Sequence, residues 1–204
     1  MVEAVLGLAL LALVSTTAIV ASSTGLGAFE SARLNSTAEA RLHRALGRVS
    51  RELMPAGWDM VGPLNLDDEF GSSFLTFQQA VDYQAGAIVW GPVQRLALEL
   101  EPGEVDDGVD NDGDGVVDER QLVLTLDEGG LGERRVVLCR SVREFLEGEE
   151  DNDADDNGNL ITDEMGFNAH RDGDVLTLRL SVEEASPKLG TVVRSLTTSV
   201  RLRN

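Results

Sequence analysis

About eighteen residues without a charge, Ala4 to Ala21, stand near the start of this chain behind a single carboxylate, Glu3. A run of that length is near the lower limit for a helix that crosses a bilayer. A secretory signal peptide would put basic residues ahead of the run, and Glu3 has the wrong sign. A plain membrane anchor leaves the carboxylate unexplained, because a charge near hydrocarbon costs several kcal/mol unless it is paired. The run therefore calls for a helix that meets lipid or other apolar helices, with a counter-charge for Glu3.

Beyond the run, Leu34, Ala38, Leu42, Ala45, Leu46, Val49 and Leu53 recur at three- and four-residue spacing, with Arg33, Arg41, Arg44, Arg48 and Arg51 between them. This pattern predicts an amphipathic helix with one face for a core. Pro55-Ala56-Gly57 predicts its end. A fully helical stalk is about 80 Å long at about 1.5 Å per residue. A coiled-coil dimerisation helix is the alternative, but the stripe lasts under three heptads and leads into sheet. Ser15-Thr16-Thr17 and Ser22 to Gly27 are poor helix formers and predict a kink or unwound stretch between Ser15 and Gly27.

After Gly57 the period changes to two. Residues 73–77, 87–90, 93–100, 121–126, 134–139, 174–182 and 192–202 alternate or run apolar, with turn residues such as Gly91-Pro92 between them. Gly129-Gly130-Leu131-Gly132 reads as a hairpin turn. Short strands joined by Gly- and Asp-rich turns predict an antiparallel sheet. The fold class is α+β, a long N-terminal helix packed on a C-terminal sheet.

At 204 residues the chain fits one domain plus an extended element. Its 36 acids against 17 bases give a net charge of −19, which argues against a nucleic-acid partner. A field this negative attracts cations. With Cys139 alone no intrachain disulfide forms, and flanking Val136-Val137-Leu138 reads as a buried strand, so the thiol is expected in the core. His43 and His170 are too far apart in sequence to suggest a zinc site. The chain has neither a nucleophile-elbow motif nor a phosphate-binding glycine loop, and an enzyme is not expected.

The acids concentrate in two stretches, 106–119 and 151–164. In the second, Asp153, Asp155, Asn157, Gly158, Asn159 and Glu164 follow the spacing of an EF-hand loop. There Asp153, Asp155 and Asn157 supply oxygens, Asn159 offers its carbonyl, Leu160 is the apolar anchor and Glu164 closes the site. The first stretch holds Asp110, Asp112, Asp114, Val116, Asp118 and Glu119 as ligand candidates. Counted from Asp110 its twelfth position is Gln121, so Asp118 and Glu119 arrive early and the loop resembles the shortened aspartate repeats of thrombospondin-type and dockerin-like loops. Both sets contain only oxygen donors, which favours Ca2+. Neither loop is clearly flanked by two helices, so both are expected as structural sites inserted between strands.

The lone Glu before an apolar helix, the amphipathic continuation, the strand order "RLALELEP", "RQLVLTL", "DVLTLRLSV" and the closing "VRLRN" resemble the type IV pilin and pseudopilin superfamily, in particular W-type minor pilins and J-type minor pseudopilins. The resemblance implies a stalk at 1–28, an amphipathic half-helix at 29–55 and a sheet head at 56–204. In that family the Glu is the fifth residue after leader cleavage and pairs with the α-amino group of a neighbouring subunit. Here it is the third, which leaves open a start inside the mature chain, a misread gene start or a different register. The basic leader read by a prepilin peptidase is not seen, which suggests a processed or truncated form. The resemblance implies a structural subunit that polymerises with itself or other pilins. It would sit in the bacterial inner membrane before assembly, then in an extracellular filament or periplasmic pseudopilus. A minor subunit at a filament tip and a monomeric membrane-tethered calcium-binding domain are the alternatives.

Overall fold

The computed structural model of the protein describes residues 2–63, 66, 70–186 and 190–202, with the backbone alone at 3–5 and 9. The first element, α1 (Val2–Leu53), is one continuous helix. The kink expected between Ser15 and Gly27 is absent because the hydroxyls bond back onto the helix. Thr16 Oγ1 donates to the Ala12 carbonyl at 2.7 Å, and Thr17, Ser23 and Thr24 donate to the carbonyls of Val14, Val20 and Val20 at 2.9 Å. Such bonds occupy the hydroxyl within the helix instead of offering it to a cap or turn. No proline interrupts the run, and an interior glycine costs only about 1 kcal/mol. The helix ends where expected, with the Met54 amide still bonded to the Ser50 carbonyl ahead of Pro55.

Exposure divides this helix. Leu6, Leu8, Leu10, Leu11, Leu13, Val14, Ile19, Val20, Leu26 and Phe29 are exposed, whereas Leu34, Ala38, Leu42, Ala45, Leu46, Val49 and Leu53 are buried. The buried stripe is the one the three-and-four spacing predicts. The first half is long and apolar enough to cross a membrane, and its most apolar window has no buried residue.

Eight strands follow: β1 (Ala56–Gly62), β2 (Phe74–Gln84), β3 (Ala87–Leu100), β4 (Arg120–Leu126), β5 (Arg134–Val142), β6 (Phe167–Asp172), β7 (Val175–Ser186) and β8 (Gly190–Arg201). They form one antiparallel sheet in the order β1-β2-β3-β4-β5-β7-β6, with β8 on β7. The sheet curls until Ser72, just before β2, bridges Ala169 of β6. The buried face of α1 lies chiefly on β7 and β8 and also touches β5 and β2. Its partners include Leu75, Phe77, Leu122, Leu124, Cys139, Leu178, Leu180 and Val182, all buried. The fold is the expected helix on an antiparallel sheet.

Two strand readings change, and the expected glycine turn is found. Residues 87–90 and 93–100 are one strand, because Gly91-Pro92 sits in a bulge between the pairs Gln78↔Val93 and Ala80↔Trp90. A bulge is where a strand tolerates the missing proline N–H. The strands β1 and β6 did not announce themselves, since "AGWDMVG" and "FNAHRD" carry no clean alternation. The glycine-rich stretch 129–132 is the β4–β5 turn, held by Asp127, whose Oδ2 accepts from the Gly132 amide at 2.9 Å.

Candidate metal centres

Both acidic stretches are loops between strands, the first joining β3 to β4 and the second β5 to β6. They are two copies of one structure. Gly103-Glu104, Asp106, Asp110, Gly113 and Asp118-Glu119 recur unchanged, 45 residues on, as Gly148-Glu149, Asp151, Asp155, Gly158 and Asp163-Glu164. No gap is needed, and the hydrogen bonds repeat with the residues.

In the first loop Asp118 accepts from the amides of Asp107 and Gly108 at 3.1 and 2.8 Å; in the second Asp163 accepts from those of Asn152 and Asp153 at 3.1 and 3.0 Å. Asp110 braces the turn from the amides of Gly113 and Gly115 at 2.6 and 3.0 Å, and Asp155 does so from Gly158 and Leu160 at 2.7 and 2.8 Å. Those bonds, the one from Leu160 foremost, hold the Asp155 carboxyl below the usual carboxylate value. Glu104 Oε1 accepts from the Asp112 amide at 2.9 Å, and Glu149 Oε1 from the Asn157 amide at 3.1 Å. Asp114 and Asn159 accept from the amides of Val116 and Ile161 at 3.0 and 2.9 Å. The φ angles agree: 82° and 77° at Gly113 and Gly158, 50° and 47° at Asp118 and Asp163.

The repeat corrects the reading of two different loop types. Glu119 does not arrive early; it holds the same place as Glu164, and Gln121 already belongs to β4. The apolar anchor also moves. Leu160 is 86% exposed at φ 72°, and its neighbour Ile161 is buried, as is Val116 in the first loop. The left-handed backbone at residue 160 turns that side chain outward, a conformation glycine takes freely at the matching Gly115, φ 97°. Two residues absent from the sequence-based ligand set, Glu104 and Glu149, accept from matching amides inside the two loops. A gapless self-comparison at 45 residues would have found them.

The first loop gathers acids that could hold a cation. Carboxylate oxygens of Glu104, Asp112 and Glu119 lie within 4.8 Å of one another, as do those of Asp110, Asp112 and Asp114. Glu104 and Glu119 are buried, yet Oε2 of each has no hydrogen-bond partner. Burial pushes the Glu119 carboxyl up to about 7, and the charges of Asp114, Glu104 and Asp112 add to the effect. An unpartnered buried carboxylate oxygen costs desolvation energy that a bound cation would offset. Oxygen donors at this density fit a hard cation such as calcium.

In the second loop Asp153 is exposed, and Asn157, Asn159 and Glu164 converge. Glu149 is buried with Oε2 unpartnered, and burial raises its carboxyl above the usual value. Glu164 is fully buried and paired with Arg179 at 2.9 Å. A third acidic group, Asp106, Asp118 and Glu144, lies around the Arg120 guanidinium, which bonds Asp106 and Glu144 at 3.2 and 2.8 Å and so already supplies the positive charge.

No known protein family, curated protein or solved structure matches this chain. What the fold and the loops define is a class: an apolar helix packed on a curled antiparallel sheet that carries a duplicated acidic loop, whose first copy groups carboxylates that could hold a metal ion.

Proposed function

We propose that the chain is a structural, pilin-like subunit whose N-terminal helix packs into a filament and whose head is ordered by calcium. The observation that carries this reading is the division of α1, apolar and exposed from Leu6 to Phe29, then buried from Leu34 to Leu53. A monomer in water rarely leaves so large an apolar surface uncovered. Lipid before assembly and the helices of neighbouring subunits afterwards would each cover it. Glu3 lies at the start of α1, and its side chain lies outside the described residues. In the proposed filament it pairs with the terminal amine of an adjacent subunit.

Calcium would be held in the first loop by Glu104, Asp112 and Glu119 with Asp110 and Asp114 close by, and in the second by Glu149, Asn157, Asn159 and Glu164. When bound, it supplies the positive charge that buried carboxylates otherwise lack. The role is structural, and the reading includes no catalytic step.

The test is to shear surface filaments from expressing cells and identify the subunits. This chain as the dominant band supports a main filament subunit, and a trace band supports a minor subunit at a tip. Recovery only from the membrane fraction would leave a monomeric tethered domain and remove the filament reading.

A further inference from the structure

The two loops share a backbone but differ in charge where a metal would sit. At four matching positions the first loop has Glu104, Asp112, Asp114 and Glu119; the second has Glu149, Asn157, Asn159 and Glu164. Two carboxylates in the first are therefore amides in the second. Resting on the calcium reading, we propose that the loops are unequal: the first is the tight divalent-cation site, and in the second the Arg179 guanidinium already neutralises the closing carboxylate and weakens cation binding.

Each carboxylate oxygen of the second loop's closing residue is already satisfied. Arg179 donates to Glu164 Oε1 at 2.9 Å, and the Asn157 and Asn159 amides donate to Oε2. Glu164 is completely buried, so the ion pair with Arg179 lies where water screens it little. The matching residue of the first loop, Glu119, is 2% exposed and makes no ion pair among the described residues. Its Oε2 is unpartnered, and so is that of Glu104, 7% exposed, with Asp112 completing the 4.8 Å group, whereas the second loop has one such oxygen, Glu149 Oε2.

A calcium ion entering the second loop must compete with a guanidinium for Glu164 and turn two amides so that they present oxygen. It gains two formal carboxylates instead of four. Entry to the first loop meets no such guanidinium and relieves repulsion among four acids. Affinity in oxygen-donor sites rises with ligand charge and rigidity, so the first loop binds more tightly. Arg179 thus sets the selectivity between the two copies.

Calorimetric titration of the full chain in mild detergent with calcium alone tests this, using wild type, Glu119→Gln, Glu164→Gln and Arg179→Gln. Wild type and Glu164→Gln should both show a tight site, and Glu119→Gln should retain only binding at least tenfold weaker. Arg179→Gln should tighten that weak phase at least tenfold and leave the tight one unchanged. Amide chemical shifts of Gly113 and Gly158 assign each phase to its loop. Should Arg179→Gln fail to fold, the comparison of Glu119→Gln with Glu164→Gln still decides. Equal affinities in those two variants, or an unchanged second phase in folded Arg179→Gln, would overturn the inference and leave the calcium reading standing. No calcium uptake by wild type would overturn both.

Discussion

A buried carboxylate with no counter-charge works against folding as soon as it ionises, and Glu119 is in that position. Its folded-state value of about 7 lies above the ordinary 4.5, so the folded chain holds the proton more tightly than the unfolded one. Its contribution to stability is fully present below about pH 4.5 and is lost as pH rises through about 7. Urea unfolding in chelator should therefore show lower stability at pH 7.5 than at pH 5, with a steeper loss in wild type than in Glu119→Gln. Equal slopes in the two would contradict it. Cys139 is a simpler case, because burial pushes its thiol up to about 12 and it is 3% exposed. A thiolate is the reactive form, so iodoacetamide should label the folded chain far more slowly than the urea-unfolded one. Rapid labelling under native conditions would mean that the strand carrying it opens.

At the scale of single elements, the duplicated loop supplies its own control. Gly115 and Leu160 occupy one backbone position at φ 97° and 72°, and only glycine takes that region without steric cost. Leu160 is exposed, so replacing it removes little packing. Leu160→Gly should leave the fold intact and raise stability by about 1 kcal/mol, read from the urea midpoint. A loss of stability would mean that Leu160 makes a contact that the φ strain does not reveal. The helix α1 shows the opposite relation between local preference and outcome. Its serines and threonines are weak helix formers, but their hydroxyls satisfy carbonyls one turn back.

For the whole molecule, two terms dominate: an uncovered apolar half-helix and a net charge of −19. Calcium that binds only the folded state stabilises it by RT ln(1 + [L]/Kd), about 2.7 kcal/mol per site at a hundredfold excess. The full chain in mild detergent should melt at a higher temperature in millimolar calcium than in chelator, and Glu119→Gln should lose most of that gain. Identical melting curves would make both loops solvated surface. Assembly rests on the other term. Glu3→Ala should leave calcium-dependent melting unchanged while abolishing or strongly reducing filament yield, and a normal yield would remove the main support for the filament reading.

The apolar run, the helical stripe from Leu34 to Leu53 and the alternation of most strands were legible in the chain, because burial periodicity is a local property of the residues. The Asp- and Asn-rich loops were legible too, since their side chains bond to amides a few residues away and need no distant partner. What only the tertiary structure decided depends on contacts far apart in sequence. β1 and β6 become strands because β2 and β7 offer them partners. Gly91-Pro92 passes inside one strand because a bulge absorbs the missing N–H. Glu104 and Glu119 lie within reach of each other only when β3 and β4 bring the ends of their loop together, and Arg179 reaches Glu164 only from β7. The ligand types were written in the sequence, whereas the balance of charge around each loop was set by the strands that pack beside it.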